Sequence, residues 1–130
     1  MKVFVDTNVF IASSVDEPGR GDLATEFLNQ EYEYCTTIFN VMEFRTVLAK
    51  KKRVEQSRVE GILDDIFESV DVYAPELGDV IDAYNLQEET LLYPMDCVIL
   101  AMAEGEDAPL VTFDSELLEN GARSPDELLS

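Results

Sequence analysis

At 130 residues and 46% hydrophobic content, the chain is long enough to bury one core and too apolar for a disordered acidic tail, despite a formal net charge of −19. It has no histidine, which excludes that side chain as a base, a metal ligand or a triad member, and leaves carboxylates as the obvious chemical groups. No apolar run reaches membrane-spanning length and no basic-then-apolar leader opens the chain, so a soluble cytoplasmic protein of one domain, residues 1–130, with no membrane contact, is expected.

The two cysteines, Cys35 and Cys97, sit singly in apolar contexts, as buried free thiols do, rather than as a disulfide or zinc pair. The acidity must coat a folded object. Such a surface repels itself unless salt screens it, and at ~1 M ionic strength the Debye length falls to about 3 Å. The composition therefore points to a halophile with a salty cytoplasm.

In chain order, Lys2 to Val5 is an apolar, β-branched run that stops at Asp6, and a helical pattern starts just after it with Val9, Phe10, Ile11 and Ala12. Ser14 to Arg20 carries Pro18 and Gly19 and reads as a loop. A second helix runs from about Asp22 to Gln30, with Leu23, Ala24, Phe27 and Leu28 inward. Tyr34 to Thr37 is a short strand, followed by a long helix from Phe39 to Lys52 that ends in Lys50, Lys51, Lys52 and Arg53. Gln56 to Ser69 is a fourth helix, with Val59, Ile62, Leu63, Ile66 and Phe67 on its apolar face.

Val70 to Tyr73 alternates like a strand and ends at Pro75; Glu76 to Leu92 and Met95 to Glu104 are helices, the second opened by Pro94. Leu110 to Phe113 is a fourth buried strand, again ending in an aspartate, Asp114, with a helical segment from Ser115 to Asn120 behind it. Ala122 and Arg123 suggest a short fifth strand before a terminal turn at Ser124 to Glu127. Strands alternating with helices imply right-handed crossovers and a parallel sheet of four to five strands covered on both faces, a three-layer α/β/α domain.

With 28 acidic residues, most carboxylates must be solvated surface. Asp6 and Asp114 have a plain role available as helix N-caps, Glu43 as the partner of Asn40 in a capping box, and Asp96 as an acid at the positive end of its helix. Taken together the four are less ordinary. In a parallel sheet, strand ends and the starts of the following helices share one edge, so Asp6, Glu43, Asp96 and Asp114 can converge there. Carboxylates gathered so closely repel unless a cation neutralises them, and oxygen-only ligands suit hard Mg2+ or Mn2+.

Asp6-Thr7-Asn8, Glu43 in Asn40-Val41-Met42-Glu43, Asp96 in Pro94-Met95-Asp96-Cys97, and Thr112-Phe113-Asp114, in this order and spacing, resemble the PIN-domain family, specifically its VapC-type toxins. The resemblance spans essentially the whole chain. It implies a PIN-like fold and a metal-dependent endoribonuclease in which Asp6, Glu43, Asp96 and Asp114 form the acidic quartet around Mg2+ or Mn2+, with Thr7, Asn8 and Thr112 assisting. Of the quartet, Asp6 and Asp96 are expected as principal ligands. Metal-activated water would then attack the phosphodiester of an RNA substrate, and no histidine is needed. A small VapB-like antitoxin and a homodimer are implied as partners; Phe10, Leu23 and Phe27 are candidate docking positions, with plain core packing the expected fate of most of them.

Six of the nine basic residues, Arg45, Lys50, Lys51, Lys52, Arg53 and Arg58, fall between positions 45 and 58. They read either as a solvated helix end or as a track for RNA phosphates. The alternatives to a nuclease are a catalytically silent PIN-like RNA-binding domain and a flavodoxin- or receiver-like regulatory module. Against the receiver, the last lysine is Lys52, so the late lysine it requires is missing. Asp6-Thr7-Asn8 also departs from the Asp-x-Asp of a haloacid-dehalogenase-type phosphatase, and glycine-rich phosphate loops are absent.

Overall fold

In a computed structural model of the protein, residues 1–129 are described, apart from the side chain of Phe67; the expectation placed on that side chain lies outside the described residues. The strands are β1 (Lys2–Val5), β2 (Glu33–Thr37), β3 (Asp71–Tyr73) and β4 (Leu110–Val111). The helices are α1 (Thr7–Ser14), α2 (Gly21–Leu28), α3 (Ile38–Thr46), α4 (Gln56–Ser69), α5 (Leu77–Thr90), α6 (Pro94–Gly105) and α7 (Ser115–Glu119). All pairings are parallel, in the order β3-β2-β1-β4.

This order fixes the layers. From β1 to β2 to β3 the chain moves one way across the sheet, so right-handed crossovers place α1 to α4 on one face. From β3 it returns past β1 to β4, which sends α5 and α6 to the other face. The buried side chains split accordingly. Val3, Val5, Tyr34 and Val111 pack with Phe10, Phe27, Phe44, Leu48 and Leu63 on one side, and Phe4, Cys35 and Leu110 pack with the buried face of α6 and with Leu117 on the other. The alternation of Val3, Phe4 and Val5 between faces is the two-residue period of a strand. Continuous burial from Ile99 to Ala103 explains why α6 is apolar all round: it lies over the sheet and is flanked by α5 and α7.

Several expected boundaries shift for local reasons. The long helix after β2 is α-helical only to Thr46 and continues as a π-helical turn over Val47–Lys51; Arg53 then leaves it in the left-handed region at φ 54°. β4 is two residues long rather than four, because the amides beyond it are used differently: Thr112 N–H donates to the carbonyl of Arg123, and Phe113 N–H to the side chain of Asn8. The expected fifth strand reduces to a single parallel bridge between Val111 and Arg123. The terminal turn is a 3-10 turn over Pro125–Leu128.

Packing decides two further expectations. Phe10 and Phe27 are core residues, 4% and 0% exposed, and are not docking positions, while Leu23 is half-buried. Most exposed large apolar side chains lie elsewhere, on α5 and the turn into α6, as Leu77, Val80, Ile81, Tyr84, Leu91 and Tyr93; Ile38 and Met42 on α3, Met95 and Met1 are the others among the described residues. Glu43 does not form a capping box with Asn40, because α3 begins earlier and its N-cap is Thr37, whose hydroxyl accepts from Asn40 N–H. Among the described residues no helix is long and apolar enough to cross a membrane.

Candidate active site

β1 lies inside the sheet, and its carboxyl end is the point where the strand order turns back, the place where open parallel sheets form a crevice. Asp6 sits there as the N-cap of α1, accepting the Thr7 N–H on Oδ1 at 2.8 Å. Oδ1 also accepts from Asn40 Nδ2 at 3.0 Å, and Oδ2 accepts the Thr112 hydroxyl at 2.7 Å. The carboxylate is 8% exposed and all three of these donors are neutral. A carboxylate has about four lone-pair positions, so this set leaves about one open.

Each donor is itself held. The hydroxyl proton of Thr112 goes to Asp6, so Thr112 Oγ1 acts as acceptor toward Asn8 Nδ2 at 3.1 Å and Asp114 N–H at 3.0 Å. Asn8 Oδ1 accepts the Phe113 N–H at 3.1 Å. Asn8 and Thr112 thus tie the start of α1 to the segment that carries Asp114. On the opposite side, Asn40 Nδ2 reaches both Asp6 and Thr7 Oγ1, the latter at 2.9 Å, while Asn40 Oδ1 accepts the Thr37 hydroxyl at 2.7 Å.

The remaining acids surround this frame. Asp96 lies in the first turn of α6 and is half-buried; Asp114 caps α7, accepting Leu117 N–H at 3.0 Å; Glu43 lies on α3 and is exposed. Burial pushes the Asp96 carboxyl up from 3.8 to about 6, and the like charges of Asp6, Asp114, Glu43 and Glu116 add to the rise. Asp6 is also raised, chiefly by burial, with its bonds from Thr112 and Thr7 pulling the other way and Glu43 and Asp114 repelling it. Asp6, Glu43, Asp114 and Glu116 are thus near enough to Asp96 for their charges to act on it, at the sheet edge where β1 ends. The salt bridges among the described residues involve other acids.

Oxygen donors, mutual repulsion and the absence of a paired cation fit a hard divalent ion. The side chains do not form a finished shell: among the described residues no three Asp, Glu or Cys side chains are already disposed to hold a metal. The two observations are compatible, since like-charged carboxylates that sense one another through the crevice stay apart until a cation draws them in.

Of the other expected residues, Thr7, Asn8 and Thr112 all enter this network. Arg45 does not face the crevice group; it makes a bidentate pair with Glu60 on α4 at 3.0 and 3.1 Å. Lys50, Lys51, Lys52 and Arg53 lie one to two turns further along, at the far end of α3 and its π-turn. Asn40 and Thr37 were missed as site residues. Asn40 is 1% exposed and polar, one turn before Glu43 at a strand-to-helix junction, the sequence signal that it faces inward beside the acids. Asn40→Ala should leave Asp6 Oδ1 and the Thr37 hydroxyl short of partners, costing about 1–3 kcal/mol. Chemical denaturation would read this loss, and a change below ~0.5 kcal/mol would show that Asn40 does not hold the frame.

Fold and site together define an α/β protein whose switch-point crevice is lined by oxygen donors. The chain belongs to the PIN domain family, whose model matches residues 3–122. Among curated proteins none matches it. Among solved structures it is similar to a sarcin-ricin loop cleaving toxin, VapC20 of Mycobacterium tuberculosis, with a TM-score of 0.76 and 17% identity over 92% of this chain and 95% of that one. VapBC2 of Rickettsia felis, bound to a DNA fragment from its promoter, gives a TM-score of 0.73 at 17% identity over 93% of each chain. A toxin-antitoxin complex from Klebsiella pneumoniae gives 0.68 at 23% identity over 87% of each. At these identities the likeness is one of fold.

Proposed function

We propose that the chain, one PIN-like domain over residues 1–130, is a VapC-type toxin: a cytoplasmic Mg2+- or Mn2+-dependent endoribonuclease that hydrolyses RNA phosphodiester bonds and is held in check by a small VapB-like antitoxin. One observation carries the reading. Asp6 is buried in a frame of neutral donors, its charge helps push the carboxyl of Asp96 up to about 6, and the salt bridges among the described residues leave both without a cation.

Asp6 and Asp96 would be the principal ligands, with Glu43 and Asp114 completing the shell directly or through water. A divalent ion, when bound, supplies Lewis acidity, an activated water and stabilisation of charge on the leaving oxygen. The chain's own part is placement. Thr112, Asn40 and Thr7 N–H fix the Asp6 carboxylate, Asn8 and Thr112 fix the backbone ahead of Asp114, and Pro94 at the start of α6 sets the turn that presents Asp96. The frame is rigid because each polar group in it is buried and paired.

The antitoxin is supported by family membership and by the toxin-antitoxin complexes among proteins of the same fold. The homodimer has an apolar surface to use: Val80, Ile81 and Tyr84 on α5, with Leu91 and Tyr93 in the turn that leads to Asp96. A basic antitoxin side chain entering the crevice would replace the cation it lacks. The direct test is cleavage of RNA with Mg2+ or Mn2+ and with a chelator. Cleavage should vanish in chelator and return on adding the ion, whereas cleavage that persists in chelator would sink the mechanism.

A further inference from the structure

Lys50, Lys51, Lys52, Arg53 and Arg58 are exposed, and none of them belongs to a salt bridge among the described residues, although the chain carries 28 acids. Complementing a helix end accounts for part of this, since the α3 segment terminates at Lys51. It does not account for Arg58, which sits in the first turn of α4, where the helix dipole disfavours a cation. Nor does it account for Arg53, which has left the helix in the left-handed region.

These cations stand apart from the acidic crevice by a distance two helices measure independently. α3 starts at the carboxyl end of β2, and at 1.5 Å per residue Lys52 lies roughly 13 Å beyond Glu43. α1 starts beside Asp6 and spans eight residues, about 12 Å, before ending at Ser14. Ser14 to Glu17 then form one wall of a cavity of about 520 Å3, and Lys52, Val54, Arg58 and Ile62 form the other. Both helices therefore run from the crevice to the basic corner. The corner holds five exposed cations on a chain of net charge −19; of these, Lys52 and Arg58 line the cavity together with Val54 and Ile62 and opposite Asp16 and Glu17, and Glu17 is already paired with Arg20.

We propose that this corner is a distal phosphate anchor of the nuclease, gripping the RNA backbone while the bond to be cut lies in the crevice. The inference rests on the nuclease reading and adds a substrate class. A stacked strand rises about 3.4 Å per phosphate, so ~12 Å corresponds to three or four stacked nucleotides and to fewer extended ones. The substrate is an RNA that continues at least that far past the cut on one side.

The test is fluorescence anisotropy in chelator at low salt, with labelled RNAs of about 20 and about 2 nucleotides. The wild type should bind the longer RNA roughly ten-fold or more tightly, and a variant carrying Lys50→Gln, Lys51→Gln, Lys52→Gln, Arg53→Gln and Arg58→Gln should lose that advantage. Its dependence on salt should flatten by about 0.7 in log–log slope for each phosphate that is no longer neutralised. All five positions are exposed, and circular dichroism confirms the fold of the variant. An unchanged length preference and salt slope would overturn the proposal, as would poly-glutamate binding the corner as well as RNA does. No cleavage enters this readout, so its failure is distinct from failure of the nuclease.

Discussion

Asp96→Asn should reduce RNA cleavage by a factor of about 10² or more and at the same time raise the melting temperature of the metal-free protein. The two effects have one origin. Asp96 is half-buried near Asp6, Asp114 and Glu43, so its charge is unfavourable until a cation arrives. A carboxyl moved from 3.8 to about 6 corresponds to roughly 3 kcal/mol, and because the group is half exposed, solvent screening cuts this to about 1 kcal/mol. Asparagine keeps the shape and removes the charge. An increase of a few degrees in the melting temperature in chelator, together with loss of cleavage in Mg2+, separates a ligand role from a folding role. A variant that cleaves normally, or melts lower in chelator, would remove Asp96 from the site.

The second large effect is a reversal of pH dependence by metal. Asp96 and Asp6 both have raised values in the folded chain, so the folded state holds protons that the unfolded state has released. The stability this contributes is present in full below the ordinary value of 3.8 and is lost as pH rises through about 6. The metal-free protein should therefore melt lower at about pH 7.5 than at about pH 5. The overall charge of −19 acts in the same direction. A divalent ion binds the ionised carboxylates, so its stabilisation should be large at about pH 7.5 and small at about pH 5. At roughly a hundred-fold excess over Kd it amounts to about 2.7 kcal/mol, on the order of 10 °C in a domain of this size. Thermal melts at the two pH values, in chelator and in Mg2+ or Mn2+, read all four corners. Equal stabilisation by the ion at both pH values would mean that it does not bind at this quartet.

The frame around Asp6 also shows why a chain with no histidine can present an acid in a defined orientation. Thr112 uses its one proton on Asp6 and its lone pairs on Asn8 and Asp114, so one hydroxyl holds three groups and ties two segments of the chain together. Replacing the hydroxyl with a methyl group would release all three at once. The shortening of β4 is related: Phe113 N–H, the last amide of the expected strand, donates to Asn8 rather than to the sheet.

The residues themselves determined much of this protein. The apolar, β-branched run from Val3 to Val5 and the regular alternation of strands and helices imply a parallel three-layer fold, because a strand buried on both faces needs helices on each side. Aspartates at two strand ends, with Glu43 and Asp96 at helix starts, imply a shared edge for the same topological reason. Burial and pairing at specific atoms were decided only by the tertiary structure. Asn40 becomes part of the Asp6 frame through hydrogen bonds that span 34 and 33 positions of the chain, which no local pattern encodes. Phe10 and Phe27 are apolar positions that sequence alone leaves open to core or partner; Phe44 of α3 packs against Phe10, and Tyr32 and Tyr34 pack against Phe27. Arg45 and the lysines after it form one basic run in sequence, yet the fold pairs Arg45 with Glu60 and carries the rest to the far end of α3. Distance along a helix and charge pairing across helices are properties of the packed chain, and they separate the crevice from the basic corner.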